Sequence, residues 1–165
     1  MAGISFKLSD DFVEQYAEKR VDWGFPIGGG NYLGEVTFYT KYSRKKEDGS
    51  KERWHECVRR CIEGMYSIQK NFVEQQRIPW NHNKAQRSAE EAYDLMFRGV
   101  WTPPGRGLEH MGTDLIFEFG SAPLQNCSFI STEHLGPRNP TEPFVLLMEM
   151  SMLGIGALLQ TSASA

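Results

Sequence analysis

Three groups of residues carry side chains that could do chemistry at their spacing. The first is the stretch 121–132, SAPLQNCSFIST, with a single cysteine, Cys127, at its centre. Its apolar residues Leu124, Cys127, Phe129 and Ile130 lie between turn residues, Gly120 and Pro123 before and Gly136-Pro137 after. That pattern predicts a short strand with Asn126 and Ser128 on the face opposite Cys127. A strand that spends its middle on Gln, Asn, Cys and Ser gives up packing energy unless those groups meet a ligand or a partner chain. Local chemistry leaves a second reading open, because a free cysteine most often ends as a small buried hydrophobe.

The second group is His55, Cys57 and Cys61. A metal site needs a second Cys or His pair at ligand spacing, and none follows, so the two thiols read as packed core residues and no metal is expected. The third is the turn 101–108, WTPPGRGL. Prolines fix φ and glycines permit close backbone approach, so this segment can offer N–H groups and the Arg106 guanidinium to an anion, or serve as a plain turn.

These residues need elements to hold them. Ser9-Asp10-Asp11 caps a helix ending near Arg20. The aromatic-glycine loop around Trp23 and Gly28-Gly29-Gly30 precedes a strand over 35–42, in which Val36, Phe38, Thr40 and Tyr42 share a face. A phosphate-cradling glycine loop follows a strand and opens a helix, so this loop reads as surface. After the charged turn 43–49, Asp48 or Ser50 caps a long helix to about Gln76. Its apolar face holds Trp54, Cys57, Val58, Cys61, Ile62, Met65, Ile68, Phe72 and Val73 at three- and four-residue steps. Pro79 breaks the chain, with His82 in the loop. A second helix over 84–98 turns Ala85, Ala89, Ala92, Tyr93, Met96 and Phe97 inward, making a helical hairpin. The apolar run 144–159 contains Glu149, Ser151 and two glycines and falls short of the ~20 residues that span a bilayer, so it reads as a core helix followed by a turn.

The chain has 165 residues, 40% apolar and 24% charged, enough for one core. With a net charge of −3 and no basic stripe, nucleic acid is not an expected partner. Three cysteines without scaffold spacing, and an N-terminus lacking signal-peptide regions, point to a reduced, cytoplasmic protein away from membranes.

Several stretches resemble, in order and spacing, the N-terminal part of the monomeric, adenosylcobalamin-dependent (class II) ribonucleotide reductases. They are Trp23-Gly24-Phe25, Thr40-Lys41-Tyr42-Ser43-Arg44, Trp54-His55-Glu56-Cys57-Val58, Lys84-Ala85-Gln86-Arg87-Ser88-Ala89 and Pro103-Pro104-Gly105-Arg106-Gly107-Leu108. Met111-Gly112-Thr113-Asp114, the run from Asn126 to Thr132, Pro143-Phe144 and Met150-Ser151-Met152-Leu153-Gly154 complete the set. The resemblance implies an α/β fold in which a helical N-terminal region (1–100, with one strand) leads into the first strand of a ten-stranded α/β barrel. The barrel begins over 101–156 and is incomplete in this chain.

The resemblance also implies a chemistry. Co–C homolysis in adenosylcobalamin yields a thiyl radical that abstracts the ribose 3′-hydrogen, and two further cysteines reduce the 2′ position as they become a disulfide. Cys127 matches the first of that pair. It must lie beside the sugar, within reach of a second thiol, and able to form a thiolate. Asn126 and Cys127 match ribose-holding positions, while Ser121, Thr102 and Arg106 fall where substrate phosphate is held. A ribonucleoside triphosphate and thioredoxin or a similar dithiol are the implied partners.

The radical cysteine, the reducing partner, the catalytic Asn and Glu and the cobalamin-binding region of the family have no counterpart in this sequence. Past Gly154 the family continues in a glycine-rich segment closing on an aromatic and an acidic residue, whereas 157–165 reads ALLQTSASA and matches nothing in it. The expectation is the N-terminal portion of a reductase, truncated or continued in another frame, and inactive alone. It would either act with the missing C-terminal part or serve as a non-catalytic module docking on a reductase barrel.

Overall fold

A computed structural model describes residues 3–20, 32–132 and 140–160. The aromatic-glycine loop at 21–31 and the tail beyond Gln160 lie outside the described residues. The chain divides into two compact units, 1–118 and 119–165.

The first unit is built on a hairpin of two helices, α3 (Trp54–Gln75) and α4 (His82–Phe97). Trp54, Cys57, Val58, Cys61 and Ile62 are buried on α3, against Ala85, Ala89, Tyr93, Met96 and Phe97 on α4. Alanines at 85 and 89 let the backbones approach, and polar tips are satisfied across the contact. The Trp54 indole N–H donates to the Phe97 carbonyl at 3.0 Å, and the Tyr93 hydroxyl to that of His55 at 2.9 Å.

The core face of α3 differs from the expected one in its last turns. Ile68 and Phe72 are exposed, at 39% and 61%, while Glu63, Gly64 and Ser67 are inside. The reason is the N-terminal segment, which lies along α3 and buries Phe6 and Leu8. The Ser5 and Phe6 amides donate to Ser67 Oγ at 3.0 Å, and the Leu8 amide to Glu63 Oε1 at 3.0 Å. Side chains of α3 thus satisfy backbone groups that have no sheet to join. Ser9 then caps α1 (Asp10–Glu14) through the Phe12 amide, and Tyr16 packs edge-on against Tyr93 and Phe97.

The expected strand over 35–42 is helical. The residues form α2 (Tyr32–Thr37) and a π-helical turn, Phe38–Tyr42, closed by the Ser43 amide on the Phe38 carbonyl at 2.9 Å. Alternation here marks no sheet face, since Val36 is 59% exposed and Phe38 alone is buried, edge-on to Trp54. Among the described residues no strand lies alongside to pair with it, and Thr40 Oγ1 donates back to the Val36 carbonyl, as hydroxyls do in helices.

Neither Asp48 nor Ser50 caps α3. Asp48 accepts from the Ser50 amide and hydroxyl within the 43–50 turn, and α3 begins after Arg53, whose amide is taken by Glu56 Oε2 at 2.6 Å. His82 opens α4 behind the Asn81 cap instead of lying in the loop. The proline-glycine segment continues as α5 (Gly105–His110), and 115–119 falls in a second short helix, α6 (Asp114–Phe119).

The second unit holds a 3₁₀ turn, Ala122–Leu124, then β1 (Cys127–Ser131), α7 (Glu142–Met152) and β2 (Gly156–Gln160). The strands pair in parallel with Cys127 opposite Gly156, Phe129 opposite Leu158 and Ile130 opposite Leu159. The run 144–159 is therefore a helix ended by Leu153-Gly154 and then a strand, not a helix and a turn, and α7 buries none of its residues. Gly154 makes the turn at φ +74°, a conformation that favours glycine. Parallel strands are normally covered on both faces, and among the described residues this pair has one helix, which packs on both strands.

Candidate functional site

Cys127 stands on the open face of the second unit. Side chains alternate along β1 and β2, so Ser128, Ile130, Ala157 and Leu159 share one face and Cys127, Phe129, Gly156 and Leu158 the other. On the first, Ile130 is buried and Ser128 Oγ is inaccessible. On the second, Cys127 is exposed, and Phe129 and Leu158 are 59% and 65% exposed. The exposed thiol is thus flanked by a bare apolar rung on one side of its strand pair. Asn126, just before it, is exposed and accepts the Gly156 amide on its carbonyl at 3.0 Å, which ties the start of β2 to the residue before the thiol. Ser121 is exposed at the start of the 3₁₀ turn, its carbonyl taking the Leu124 amide.

Thr102 and Arg106 belong to the first unit. Thr102 is exposed before the two prolines, and Arg106 sits in the first turn of α5. Both glycines of α5 sit against close neighbours, a rigid proline ring at Gly107 and the tip of a tyrosine side chain at Gly105. A Cβ at Gly107 would stand 2.7 Å from Pro103 Cβ, and one at Gly105 2.9 Å from the Tyr42 hydroxyl. Arg106 Nη1 lies 3.4 Å from His110 Nε2, and Glu109 Oε2 is 3.4 Å from the same imidazole nitrogen. Burial lowers the His110 pKa from its ordinary value of 6.5, although Glu109 opposes the shift.

Cys57 and Cys61 are fully buried, as their spacing suggested. Cys61 Sγ faces the Gly107 carbonyl at 3.6 Å and Cys57 Sγ that of Leu108 at 3.9 Å. The hydrogen bond with Cys61, reinforced by burial, holds the Cys57 thiol far above the ordinary range, so it stays protonated. Arg60 closes this region. It donates to Glu52, to the Leu108 carbonyl at 2.9 Å and to the Met111 carbonyl at 2.6 Å, fixing α5 and the residue after it to α3.

Residues 8–113 match the family model described as ribonucleotide reductase alpha domain. The chain belongs to that family. A Dictyostelium discoideum protein named "Probable adenosylcobalamin-dependent ribonucleoside-triphosphate reductase" is 43% identical over 152 residues, covering 92% of this chain and 19% of that protein. The adenosylcobalamin-dependent ribonucleoside-triphosphate reductase of Euglena gracilis is 36% identical, over 92% of this chain and 20% of its own length. The crystal structure of a B12-dependent (class II) ribonucleotide reductase superposes with a TM-score of 0.74 at 26% identity, over 94% of this chain and 23% of that one. The mostly helical chain with its small sheet matches the N-terminal region of that reductase, and spans about one-fifth of the curated relatives' length. The family resemblance read from the motifs is thereby shown. Among the described residues no helix is long and apolar enough to cross a membrane.

Gly156 and the Phe129–Leu158 rung were not singled out in the sequence as site residues. A glycine two residues after a turn glycine carries little local signal, and its place beside Cys127 follows only from the strand register.

Proposed function

We propose that this chain supplies the first part of a ribonucleoside-triphosphate reductase, with Cys127 as one member of its reducing cysteine pair. The observation that supports this most directly is the exposed thiol on the bare face of a parallel strand pair whose other face is covered. A strand pair of this kind is suited to open an α/β barrel, with Cys127, Phe129 and Leu158 turned toward its interior and α7 outside. Further strands would then cover the sheet edges, which otherwise invite association.

In the reaction, Cys127 and a second thiol would together give up two electrons and two protons. The 2′-hydroxyl leaves as water, the deoxyribonucleotide forms, and the two sulfurs join as a disulfide that thioredoxin or a similar dithiol reopens. Cys57 and Cys61 are unsuited to be that second thiol, because both are fully buried on α3. On this proposal, and as the family resemblance implies, Asn126 would hold the ribose beside the sulfur, and Ser121, Thr102 and Arg106 would meet substrate phosphate.

The open cavity between α3 and α4, lined by Tyr66, Val73, Trp80 and Lys84, holds about 430 Å³, too little for a corrin with its nucleotide arm, and no step is assigned to it.

The test is complementation. The 165-residue chain incubated with adenosylcobalamin, a ribonucleoside triphosphate and a dithiol is expected to form no deoxyribonucleotide. Mixed with a polypeptide carrying the remainder of a class II reductase, it should restore formation, and the Cys127→Ser chain should not. Turnover by the chain alone would overturn the division of labour, and restoration by Cys127→Ser would overturn the role of the thiol.

The bare faces also support a second use, docking on a reductase barrel without catalysis. Binding in that mixture without restored turnover would favour it.

A further inference from the structure

The residue directly across from the thiol is a glycine, and nothing in the described fold asks for one. Gly156 does not have positive φ, so its backbone conformation is open to other residues. Among the described residues, a Cβ built on it would meet only the Asn126 carbonyl oxygen, at an ordinary contact distance of 3.6 Å. Contrast Gly64 and Gly107, where a Cβ would run into backbone or a proline ring within 2.7 Å. Gly156 is the first paired residue of β2, and a glycine at a paired position weakens the pairing there, through lost backbone entropy and the absence of a side chain to pack. Where neither conformation nor packing requires it, such a residue marks a place that something else must approach closely.

Register shows what that place is. Residues directly opposite in paired strands project to the same face, so a side chain at 156 would rise beside the Cys127 thiol. The next rung on that face, Phe129 opposite Leu158, is bulky on both strands. The face therefore has a step, a thiol with an open flank beside a raised apolar rung.

We propose that Gly156 is a positioning residue for the Cys127 thiol, keeping clear the flank through which a second sulfur or the substrate sugar reaches it. The inference rests on the reading of Cys127 as a redox thiol. It adds that the site discriminates by the size of what approaches along β2. In exchange with a disulfide, the Cys127 thiolate attacks one sulfur, a mixed disulfide forms, and the other sulfur leaves as a thiolate that takes up the proton.

The experiment compares the 165-residue chain with its Gly156→Ala and Gly156→Val variants. Each is reacted with a small reagent, methyl methanethiosulfonate, and with a bulky one, 5,5′-dithiobis(2-nitrobenzoate). Mass spectrometry locates the modified cysteine, and hydrogen-exchange protection of the paired β1 and β2 amides reports that the strand pair of each variant is folded. Gly156→Val should slow the bulky reagent about threefold to tenfold, against a barrier scale of ~1.4 kcal/mol per tenfold, and leave the small one within about twofold. Gly156→Ala should fall between. If Gly156→Val loses that protection, Gly156→Ala alone decides, since its Cβ has room. Equal rates for all three chains, or equal slowing of both reagents, would overturn the role of Gly156 while leaving Cys127 a reactive thiol. A Cys127 inert to both reagents in the unsubstituted chain would instead overturn the reading on which the inference rests.

Discussion

Arg60 and Glu52 form a paired fork, with Nε to Oε1 at 2.7 Å and Nη2 to Oε2 at 2.9 Å, both side chains nearly buried at 13% and 11% exposure. Arg60 also donates to the Leu108 and Met111 carbonyls, so one guanidinium on α3 joins the segment before that helix to α5 and the residue after it. Removing one partner leaves the other charged and shielded from water. Arg60→Leu is therefore expected to cost about 3–5 kcal/mol, measured by urea denaturation, and the Arg60→Leu/Glu52→Leu double variant to recover much of that loss.

Gly64 sits inside α3, where propensity alone favours alanine by about 1 kcal/mol. Its missing side chain faces Gly112, whose Cα and N lie 2.5 Å from where a Cβ would be, and Gly112 itself holds φ at +75°. Neither backbone can give way easily. Gly64→Ala should destabilise the chain by about 1–3 kcal/mol, with a lower thermal midpoint despite the better helix former.

The N-terminus of α4 depends on Asn81, whose Oδ1 accepts the Lys84 amide at 3.0 Å. Asn81→Ala removes that acceptor and should lower stability by about 1 kcal/mol, while Asn81→Asp keeps it. Denaturant midpoints of the three chains check the order.

Burial lowers the pKa of His55, and that of His110, below the ordinary 6.5. As pH falls below 6.5 the unfolded chain takes up protons that the folded chain resists, so stability is full above about that pH and declines beneath it. The carboxylate Glu56 is lowered from 4.5, where burial is outweighed by the Arg53 amide and Lys46, and it acts only at more acidic pH. The thermal midpoint should thus fall between about pH 7 and pH 5.5, and His55→Gln should flatten that part of the profile.

The burial of Cys57 and Cys61 and the exposure of Cys127 predict a simple thiol count. In native buffer one thiol per chain should react rapidly with a disulfide reagent, and in denaturant three. Mass mapping should place the native adduct on Cys127.

Much of the first unit was legible in the sequence. Apolar residues at three- and four-residue steps identify the α3–α4 contact, because a helix presents those positions on one side whatever surrounds it. The same rule put Cys57 and Cys61 inside. The ordered motifs carried the family, since residue types at fixed separations need no knowledge of contacts. Where the reading failed, the deciding partner was distant in the chain. Alternation at 35–42 suggested a strand, but a strand needs another to pair with, and Phe38 found Trp54 instead. Phe72 has the spacing of a core residue, yet the N-terminal segment covers Ser67 and Glu63 rather than Phe72.

The second unit shows the same division around Cys127. Sequence alone determined that a cysteine sits in a short β-prone stretch whose motif resembles one of the reductases. Only the tertiary structure decided which face the thiol occupies, that Gly156 stands opposite it, and that α7 leaves that face open. Side-chain period is a property of one strand, whereas register and coverage arise from long-range pairing, in which a shift by one residue would turn Cys127 to the other side.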